Sequence, residues 1–317
     1  MLKKNQVLKN KRGRSKTSKY YVPNLVLRCP FLKYTMSPTA INGVPFLEIY
    51  GILKQIRVRR KGKIMKPVIV RNIAIGEGIP KICVPIVGKT TDEIMNQAKH
   101  ICEIGADVVE WRVDWFEEVK NYESVENAAK QLRDILGETP ILFTFRTAKE
   151  GGERAIEPDE YVVLNEKIAK SGYVDLVDVE AFIGDTYVEK VVKTSHECGV
   201  KVIASNHDFH KTPPKEELIA RMKKMQELGA DIPKIAVMPQ STEDLLTLLS
   251  ATEEMRRCYA DRPVITMSMA GTGVVSRMCG EIFGSALTFG AAGKVSAPGQ
   301  IDVEELRTVL SILHKSL

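Results

Sequence analysis

The most informative residue for chemistry in this sequence is a lysine inside an apolar segment. Lys234 lies between Pro233 and the run Ile235-Ala236-Val237-Met238, a pattern that predicts a buried strand. A solvated lysine is almost fully protonated at neutral pH, whereas removal from water disfavours the charged form. A neutral amine can attack a carbonyl carbon and form a Schiff base. The structural alternative is a lysine that reaches solvent from a strand end or pairs with an acid.

A histidine ends the predicted strand that precedes this lysine. His207 lies in Ser205-Asn206-His207-Asp208-Phe209, and histidine suits proton transfer because it titrates near neutrality. Neighbouring parallel strands bring their carboxyl ends together. We therefore expect His207 and Lys234 to lie side by side. The other four histidines fall on predicted helices or loops, where solvated roles are expected: His100, His196, His210 and His314.

Further charged and polar residues are predicted at the carboxyl ends of the other strands. They are Glu110, Arg112, Arg146, Glu150, Arg277, Ser296 and Gln300. A lone arginine is usually part of a surface ion pair, but three of them at strand ends favour an anionic, hydroxylated substrate held by planar guanidinium groups. The small residues at 292–299 suit a lid, although glycine-rich phosphate loops have a similar composition.

The elements that would position these residues form an alternation that repeats eight times. Apolar strands are predicted at 82–87, 107–114, 140–146, 175–182, 201–208, 232–239, 263–270 and 286–293. Amphipathic helical patterns lie between them, and a glycine often follows a helix, as Gly105 does. Eight such units without a glycine-rich dinucleotide loop favour an α/β protein with a closed (β/α)8 TIM barrel over an open Rossmann sheet.

The chain divides at about residue 64 by charge. Residues 1–64 hold 16 Lys/Arg and one acid, a net +15, so the remaining 30 basic and 39 acidic residues give −9. We predict a basic extension at 1–64 and a catalytic barrel at 65–317, which opens with a β-hairpin at about 68–79. Three interpretations of the extension stay open: a disordered, functionally silent segment, an arm that binds RNA or a membrane surface, or a misassigned start with Met65 as the true first residue.

Composition excludes several classes of protein. No apolar run reaches the ~18 residues of a membrane span, and no signal-peptide pattern opens the chain. The six cysteines show no C-x-x-C spacing and no clustering with histidine, so neither zinc nor disulfides are expected. We therefore expect a reduced, cytoplasmic protein with no metal site.

At these motifs the sequence closely resembles the type I 3-dehydroquinate dehydratases. The similarity runs from about Lys81 to the C-terminus, and the motifs fit in order and spacing. They are Glu110-Trp111-Arg112, Phe145-Arg146-Thr147 with Gly151-Gly152, Asp178-Val179-Glu180, Val202-Ile203-Ala204-Ser205-Asn206-His207-Asp208-Phe209, Thr212-Pro213, Pro233-Lys234-Ile235-Ala236, and Ser296-Ala297-Pro298-Gly299-Gln300. Two features depart from the family pattern. Pro85 stands where some relatives place a serine, and the segment before Met65 has no counterpart.

The resemblance implies a lyase that needs no cofactor. Lys234 would condense with the C3 ketone of 3-dehydroquinate, and His207 would remove the C2 proton and protonate the departing C1 hydroxyl. This syn loss of water gives 3-dehydroshikimate. Glu150 would orient His207 and tune its pKa.

The resemblance also assigns the substrate contacts and the assembly. Arg277 would hold the carboxylate, Ser296 and Gln300 would close from the lid, and the ring hydroxyls would be read by Glu110, Arg112 and Arg146. A homodimer is implied. Both a biosynthetic role on the shikimate pathway to chorismate and aromatic amino acids and a role in quinate breakdown remain open.

Two other functions compete with this interpretation. Another class I aldolase-type barrel would use the same Schiff-base lysine on a sugar phosphate, but Arg277 and Ser296-Ala297-Pro298 suit a carboxylate better than a phosphate. An RNA-associated protein would instead use its basic arm, and deletion of residues 1–64 distinguishes the two classes.

Overall fold

A computed structural model of the chain describes residues 65–293 and 297–317. The predicted extension at 1–64 therefore lies outside the described residues, as does Ser296. The described chain opens with two antiparallel strands, β1 (Val68–Val70) and β2 (Ile73–Ile75). Arg71 has a positive φ of 49° in the two-residue turn between them. The predicted hairpin is confirmed, although its strands end at Ile75.

Eight parallel strands and their helices follow the hairpin. The strands are β3 (Lys81–Ile86), β4 (Val108–Arg112), β5 (Ile141–Thr144), β6 (Leu176–Glu180), β7 (Lys201–Asp208), β8 (Ile232–Val237), β9 (Ile265–Ser268) and β10 (Leu287–Ala291). Each of the eight lies within two residues of its predicted bounds. A two-residue strand, β11 (Ile301–Asp302), pairs with β10.

The helices lie between the strands and after the last of them. They are α1 (Thr91–Ile104), α2 (Tyr122–Leu136), α3 (Pro158–Lys170), α4 (Asp185–Glu197), α5 (Lys215–Glu227), α6 (Thr242–Glu254), α7 (Val274–Met278), α8 (Gly280–Phe283) and α9 (Val303–Ser316). Polar caps set several of their starts: the side chains of Thr90, Asn121, Ser241 and Asp302 each accept a hydrogen bond from a backbone N–H in the first turn. Every helix in the described residues is too short or too polar to cross a bilayer.

The strands form one curled sheet in the order β11-β10-β3-β4-β5-β6-β7-β8-β9. A single bridge between Val264 and Ser285 joins its two ends, where the Ala286 N–H donates to the Val264 carbonyl at 2.9 Å. The (β/α)8 barrel is therefore confirmed, with one seam made by a bridge instead of a ladder.

The inside of the barrel is filled in layers. Each of the eight strands gives at least one apolar side chain to a cluster that also contains Val68, Val70 and Ile75 of the hairpin, and the first of these along each strand are Cys83, Val108, Leu142, Leu176, Ile203, Ile232, Ile265 and Leu287. The hairpin thus closes the amino-terminal end of the barrel. Two residues further along a strand, the side chain returns to the same face. These next positions include polar residues, namely Glu110, Thr144, Asp178, Ser205 and Lys234.

Candidate active site

Lys234 is buried inside the barrel at the middle of β8, with 3% of its surface exposed. Its Nζ lies 3.2 Å from Asp178 Oδ2 and 3.6 Å from Glu110 Oε1. The same nitrogen lies 4.6 Å from the centre of the Phe289 ring. The sequence left two roles open for Lys234, a buried nucleophile or a lysine paired with an acid, and the structure shows both burial and two carboxylates within ion-pair distance.

His207 lies near the end of β7, beside β8. Its Nδ1 is 3.0 Å from Glu150 Oε2, and its backbone N–H donates to the same oxygen at 2.9 Å. Burial and the positive charges of Arg146, Lys234 and Arg112 hold the pKa of His207 well below its ordinary value. The imidazole is therefore neutral at physiological pH. With Nδ1 engaged by Glu150, Nε2 is the nitrogen that can accept a proton.

Glu150 sits in a one-turn helix at Ala148–Glu150, after β5. Burial is the main cause that raises the pKa of this carboxyl to about 7, and the nearby carboxylate of Glu180 adds to it. Arg146 and the hydrogen bonds from Asn206 and from the His207 backbone act in the opposite direction. The charge of Glu150 therefore changes near neutral pH.

Two glycines after Glu150 allow close packing around it. Gly151 has a φ of +82°, and a Cβ there would meet the Phe209 ring at 2.3 Å. At Gly152 a Cβ would lie 1.9 Å from the carbonyl oxygen of Arg146. A larger residue at position 151 would collide with the Phe209 ring just after β7, and one at position 152 would collide with the Arg146 backbone, so the Gly151-Gly152 pair has a steric explanation.

Arg146 is the centre of a buried charge network. Its Nη1 donates to Glu180 Oε1 at 3.1 Å and to Ser205 Oγ at 2.9 Å, and its Nη2 donates to Asp178 Oδ1 at 2.8 Å. These terminal donors are engaged with protein groups, so Arg146 holds the acids in place at least as much as it could read a substrate hydroxyl.

Sequence reasoning missed Asp178 and Glu180 as members of the site. Burial alone would raise the pKa of Asp178, but Arg146 and Lys234 outweigh it and lower that pKa. Asp178 is therefore the anion beside the candidate nucleophile. The available signal was the acid-apolar-acid alternation Asp178-Val179-Glu180 in an apolar strand, since such spacing puts both carboxylates on the inner face.

Arg277, on α7, has 1% of its surface exposed. Its Nη2 donates to the Pro298 carbonyl at 3.1 Å and its Nη1 lies 3.8 Å from Met267 Sδ. Among the described residues its Nε has no hydrogen-bond partner, and no carboxylate contacts this guanidinium. Burial lowers the pKa of Arg277 to about 10, so the group stays cationic at neutral pH. Such a cation is suited to an anionic ligand.

Arg112 is occupied in a different way. Its Nε and Nη2 donate to the two carboxylate oxygens of Asp114, each at 2.8 Å. The Arg112 side chain is thereby fixed in direction at the mouth of the barrel. Glu110 accepts a hydrogen bond from Thr144 Oγ1 at 3.0 Å and stays within ion-pair distance of Lys234.

One cavity of about 50 Å³ brings the predicted site residues together. Eight of the nine line it: Glu110, Arg112, Arg146, Glu150, His207, Lys234, Arg277 and Gln300. The ninth, Ser296, is outside the described residues. Phe209, Met267, Met269 and Phe289 complete an apolar wall. The arrangement joins a buried amine, a neutral imidazole with an oriented nitrogen and a cation suited to an anion, which together suit Schiff-base chemistry on an anionic ketone.

Comparison with known proteins gives consistent results. Residues 82–317 match the family model described as type I 3-dehydroquinase. A 3-dehydroquinate dehydratase of Clostridioides difficile is 58% identical over 248 residues, which are 78% of this chain and 97% of that protein.

Two solved structures are also similar. The type I 3-dehydroquinate dehydratase of Clostridium difficile, with covalently modified comenic acid, has a TM-score of 0.79 and 57% identity, and the match covers 80% of this chain and all of that one. The 3-dehydroquinate dehydratase of Geobacillus kaustophilus has a TM-score of 0.77 and 45% identity, over 79% and 97% of the two chains.

Proposed function

From the premise that this chain belongs to the type I 3-dehydroquinase family, we propose that it removes water from 3-dehydroquinate through a Schiff base on Lys234. The dehydratase activity, a hydro-lyase step of the shikimate pathway, is that of the family. The observation that carries the proposed mechanism is the buried position of Lys234 in the same cavity as His207.

The first step joins the enzyme to its substrate. The Lys234 amine attacks the C3 carbonyl, a molecule of water leaves, and a protonated imine remains. Asp178 and Glu110 flank the nitrogen. Because the iminium is a cation like the ammonium that it replaces, these carboxylates can stabilise it without a change in their own charge.

The second step removes the C2 proton and the C1 hydroxyl. The iminium accepts the electron pair left on C2, so the proton becomes removable, and Nε2 of His207 takes it. Burial and the positive charges of Arg146 and Arg112, which lower the pKa of His207, disfavour the imidazolium that forms. It therefore readily gives its proton to the departing hydroxyl, and water is lost. Hydrolysis of the imine then consumes one water, releases 3-dehydroshikimate and restores Lys234.

Charge complementarity supports the substrate's orientation. The substrate carboxylate would bind Arg277, a buried cation that no acid neutralises in the part of the chain that is described. Glu110, Arg112 and Gln300 would contact the hydroxyl groups, with Ser296 from the adjoining loop. Arg146 would act by holding Asp178 and Glu180 in place, since its terminal donors are already engaged.

The Clostridium difficile relative supports covalent chemistry in this family, since its structure contains covalently modified comenic acid. A covalent adduct requires a nucleophile in the protein. Lys234 is the buried amine in the cavity of this chain, so we assign the nucleophile to it.

Borohydride reduction tests the proposal directly. Reduction of the enzyme in the presence of 3-dehydroquinate should give a stable secondary amine, and peptide mass mapping should place it on Lys234. Lys234→Ala should lose both the adduct and turnover, whereas Lys130→Ala, at an exposed lysine of α2, should keep both. An adduct on another lysine, or one that persists in Lys234→Ala, would overturn the assignment.

His207→Ala separates the two steps. This variant should still form the trapped adduct, while its rate of water elimination falls by about 10²–10⁴-fold because the general base is gone. Loss of adduct formation in this variant, or an unchanged elimination rate, would contradict the proposed roles of Lys234 and His207.

We further propose that residues 65–317 form the catalytic domain, with 1–64 as an extension, and that the enzyme is a cytoplasmic homodimer. Five cysteines are free thiols in the described part of the chain, which suits a reducing compartment. Leu246 on α6 and Ile282 on α8 are exposed apolar side chains on helices that pack together, which suits a protein interface. Sedimentation equilibrium would test the dimer.

A further inference from the structure

A chain of hydrogen bonds runs from the outer helices to the base. Nη1 of Arg221, on α5, donates to Asn206 Oδ1 at 2.7 Å, and Asn206 Nδ2 donates to Glu150 Oε1 at 3.0 Å. Glu150 Oε2 then contacts His207 Nδ1 at 3.0 Å. Asn206 and His207 are consecutive on β7, so their side chains leave the strand on opposite sides and meet again through Glu150.

The direction of each bond in this chain is fixed by its first member. A guanidinium can only donate, so the oxygen of the Asn206 amide must face Arg221 and its NH₂ group must face Glu150. The NH₂ group can only donate in turn, so Glu150 Oε1 must accept. Glu150 Oε2 already accepts from the His207 backbone N–H at 2.9 Å. Both oxygens therefore receive donors, which is the pattern that suits a carboxylate.

We propose that Arg221 and Asn206 are positioning residues, which keep Glu150 ionised and His207 in the tautomer that can act as a base. The proposal rests on the proposed role of His207 as the base. An ionised Glu150 accepts the Nδ1 proton and leaves Nε2 free. A protonated Glu150 would donate to Nδ1, and the ring proton would then sit on Nε2, where it blocks proton removal from the substrate.

The pKa of Glu150 lies close enough to neutrality that the loss of one hydrogen-bond donor would change the charge of this carboxyl at neutral pH. Burial raises the pKa of this carboxyl to about 7, with the hydrogen bond from Asn206 among the causes that lower it. The charged and titratable groups that face Glu150 or its imidazole are Arg146 on the same segment, Glu180 from β6, His207 from β7, Lys234 from β8 and Arg112 from β4. Without the Asn206 donor, the pKa of Glu150 should rise further.

Arg221 is itself held in place from two sides. Its Nη2 donates to Glu217, one turn earlier on α5, and the guanidinium carbon lies 5.8 Å from the centre of the Phe182 ring. The planar guanidinium of Arg221 can donate to Glu217 and Asn206 at the same time, whereas the single ammonium of a lysine cannot match that geometry. Arg221 also lines an open groove of about 820 Å³ behind His207, so the outer end of the chain of bonds faces solvent.

The pH dependence of kcat tests the proposal. In Asn206→Ala the acidic limb should move up by about one pH unit, because the lost donor stabilised the ionised carboxyl, while KM changes little. Arg221→Gln should shift the acidic limb in the same direction but by less, because Asn206 remains but is free to rotate. Arg221→Lys should shift it less than Arg221→Gln does, because a donor to Asn206 remains.

Lys224→Gln is the matched control. It removes the same charge from the same helix and groove, but Lys224 pairs with Asp185, so its profile should match the wild type.

Borohydride trapping distinguishes failure of this proposal from failure of the mechanism. Asn206→Ala should still form the Lys234 adduct, with elimination slowed at neutral pH and recovered at higher pH. An unshifted acidic limb in both Asn206→Ala and Arg221→Gln, with a wild-type enzyme that gives the adduct and depends on His207, would overturn the positioning role alone. A shift of equal size in Lys224→Gln would also overturn it, since long-range charge would then explain the effect. A wild-type enzyme without the adduct would overturn the mechanism on which it rests.

Discussion

Arg277 shows at the level of one residue how binding capacity and stability conflict. Its guanidinium is buried, and within residues 65–293 and 297–317 its Nε lacks a partner while a backbone carbonyl and a methionine sulfur contact its other nitrogens. Burial lowers its pKa to about 10, a direct sign that the charged form is poorly compensated. A buried cation of this kind weakens the empty protein and gains its partner when an anion binds.

Arg277→Met should therefore separate the two properties. We expect kcat/KM to fall by about 100-fold or more, mainly through KM, because charge-assisted hydrogen bonds to the substrate carboxylate are lost. The free energy of unfolding should rise by about 1–3 kcal/mol, because a desolvated and partly unpaired group is replaced by an apolar one of similar length. Steady-state kinetics and denaturant unfolding measure both effects, with Arg277→Lys as the control that keeps the charge. An unchanged KM would contradict the assigned role.

The pKa values of Glu150 and His207 predict the pH profile of the unaltered enzyme. The pKa of Glu150 is raised to about 7, mainly by burial, and that of His207 is held well below its ordinary value. As the pH falls through about 7, Glu150 protonates first, and His207 loses the acceptor that directs its proton. We expect kcat to fall on the acidic side of about pH 7. Glu150→Gln should lower kcat and move that limb to a lower pH, where His207 itself titrates. A limb that stays at the same pH in this variant would assign it to another group.

Residue types and spacing could predict some of these site members but not others. Lys234 and His207 were predictable because a lysine in an apolar strand and a histidine at a strand end are both unusual, and parallel strands bring their ends together. The engagement of Arg146 by Asp178 and Glu180 was not predictable, because strand spacing gives the face of a side chain but not its partner. For the same reason the two carboxylates beside Lys234 appear only in the structure.

At the level of elements, the barrel uses its two ends for different purposes. The strand residues that begin the inner face are apolar and form one cluster with Val68, Val70 and Ile75 of the hairpin, while the next inner positions include charged residues. Since side chains on one face recur every second residue, this order puts the polar layer toward the carboxyl ends of the strands. The hairpin therefore closes the amino-terminal end of the barrel with apolar side chains, and the charged residues lie toward the opposite end.

Truncation of a buried apolar side chain of the hairpin should destabilise the protein without a direct effect on substrate binding. Ile75 is fully buried, so Ile75→Ala should lower the free energy of unfolding by about 2–4 kcal/mol through lost burial and a cavity. Ile69, in the same hairpin, is 58% exposed, and Ile69→Ala should change the stability by less than about 0.5 kcal/mol. KM should stay at its original value in both variants at a temperature where they are folded. Equal effects of the two substitutions on stability would argue against the role of the hairpin in closing the barrel.

The elements themselves were largely predictable, and the exceptions have physical causes. The strands were located within two residues because each is a short apolar run between helices, but the seam at Val264 and Ser285 was not. Closure depends on the accumulated twist and stagger of all eight strands, and no single segment encodes it. The pairing of β11 with β10 was missed because a two-residue strand carries no periodicity.

At the level of the whole molecule, charge is divided unequally along the chain. Residues 1–64 carry +15 and the remainder carries −9, with 39 acidic against 30 basic residues. The positive charges at the site belong to the acidic part, where ion pairs with Asp114, Asp178 and Glu180 hold two of the arginines. We therefore expect substrate binding to depend on local charges inside the barrel, and the net charge to affect how the whole chain meets polyanions.

Deletion of residues 1–64 should therefore separate two properties of the full chain. The family match begins at residue 82, and every described site residue follows it, so the truncated enzyme should keep kcat and KM for 3-dehydroquinate within about twofold. Affinity for heparin or RNA should be lost, because the remaining net charge is −9 and polyanion binding needs clustered Lys and Arg. Polyanion affinity is measured by retention on a heparin column across a salt gradient, and activity by dehydratase kinetics on the same samples. A protein of residues 1–317 with Lys3, Lys4 and Lys9 changed to Gln should show intermediate retention. A large loss of dehydratase activity after deletion would assign the basic segment to catalysis and contradict a barrel that works by itself.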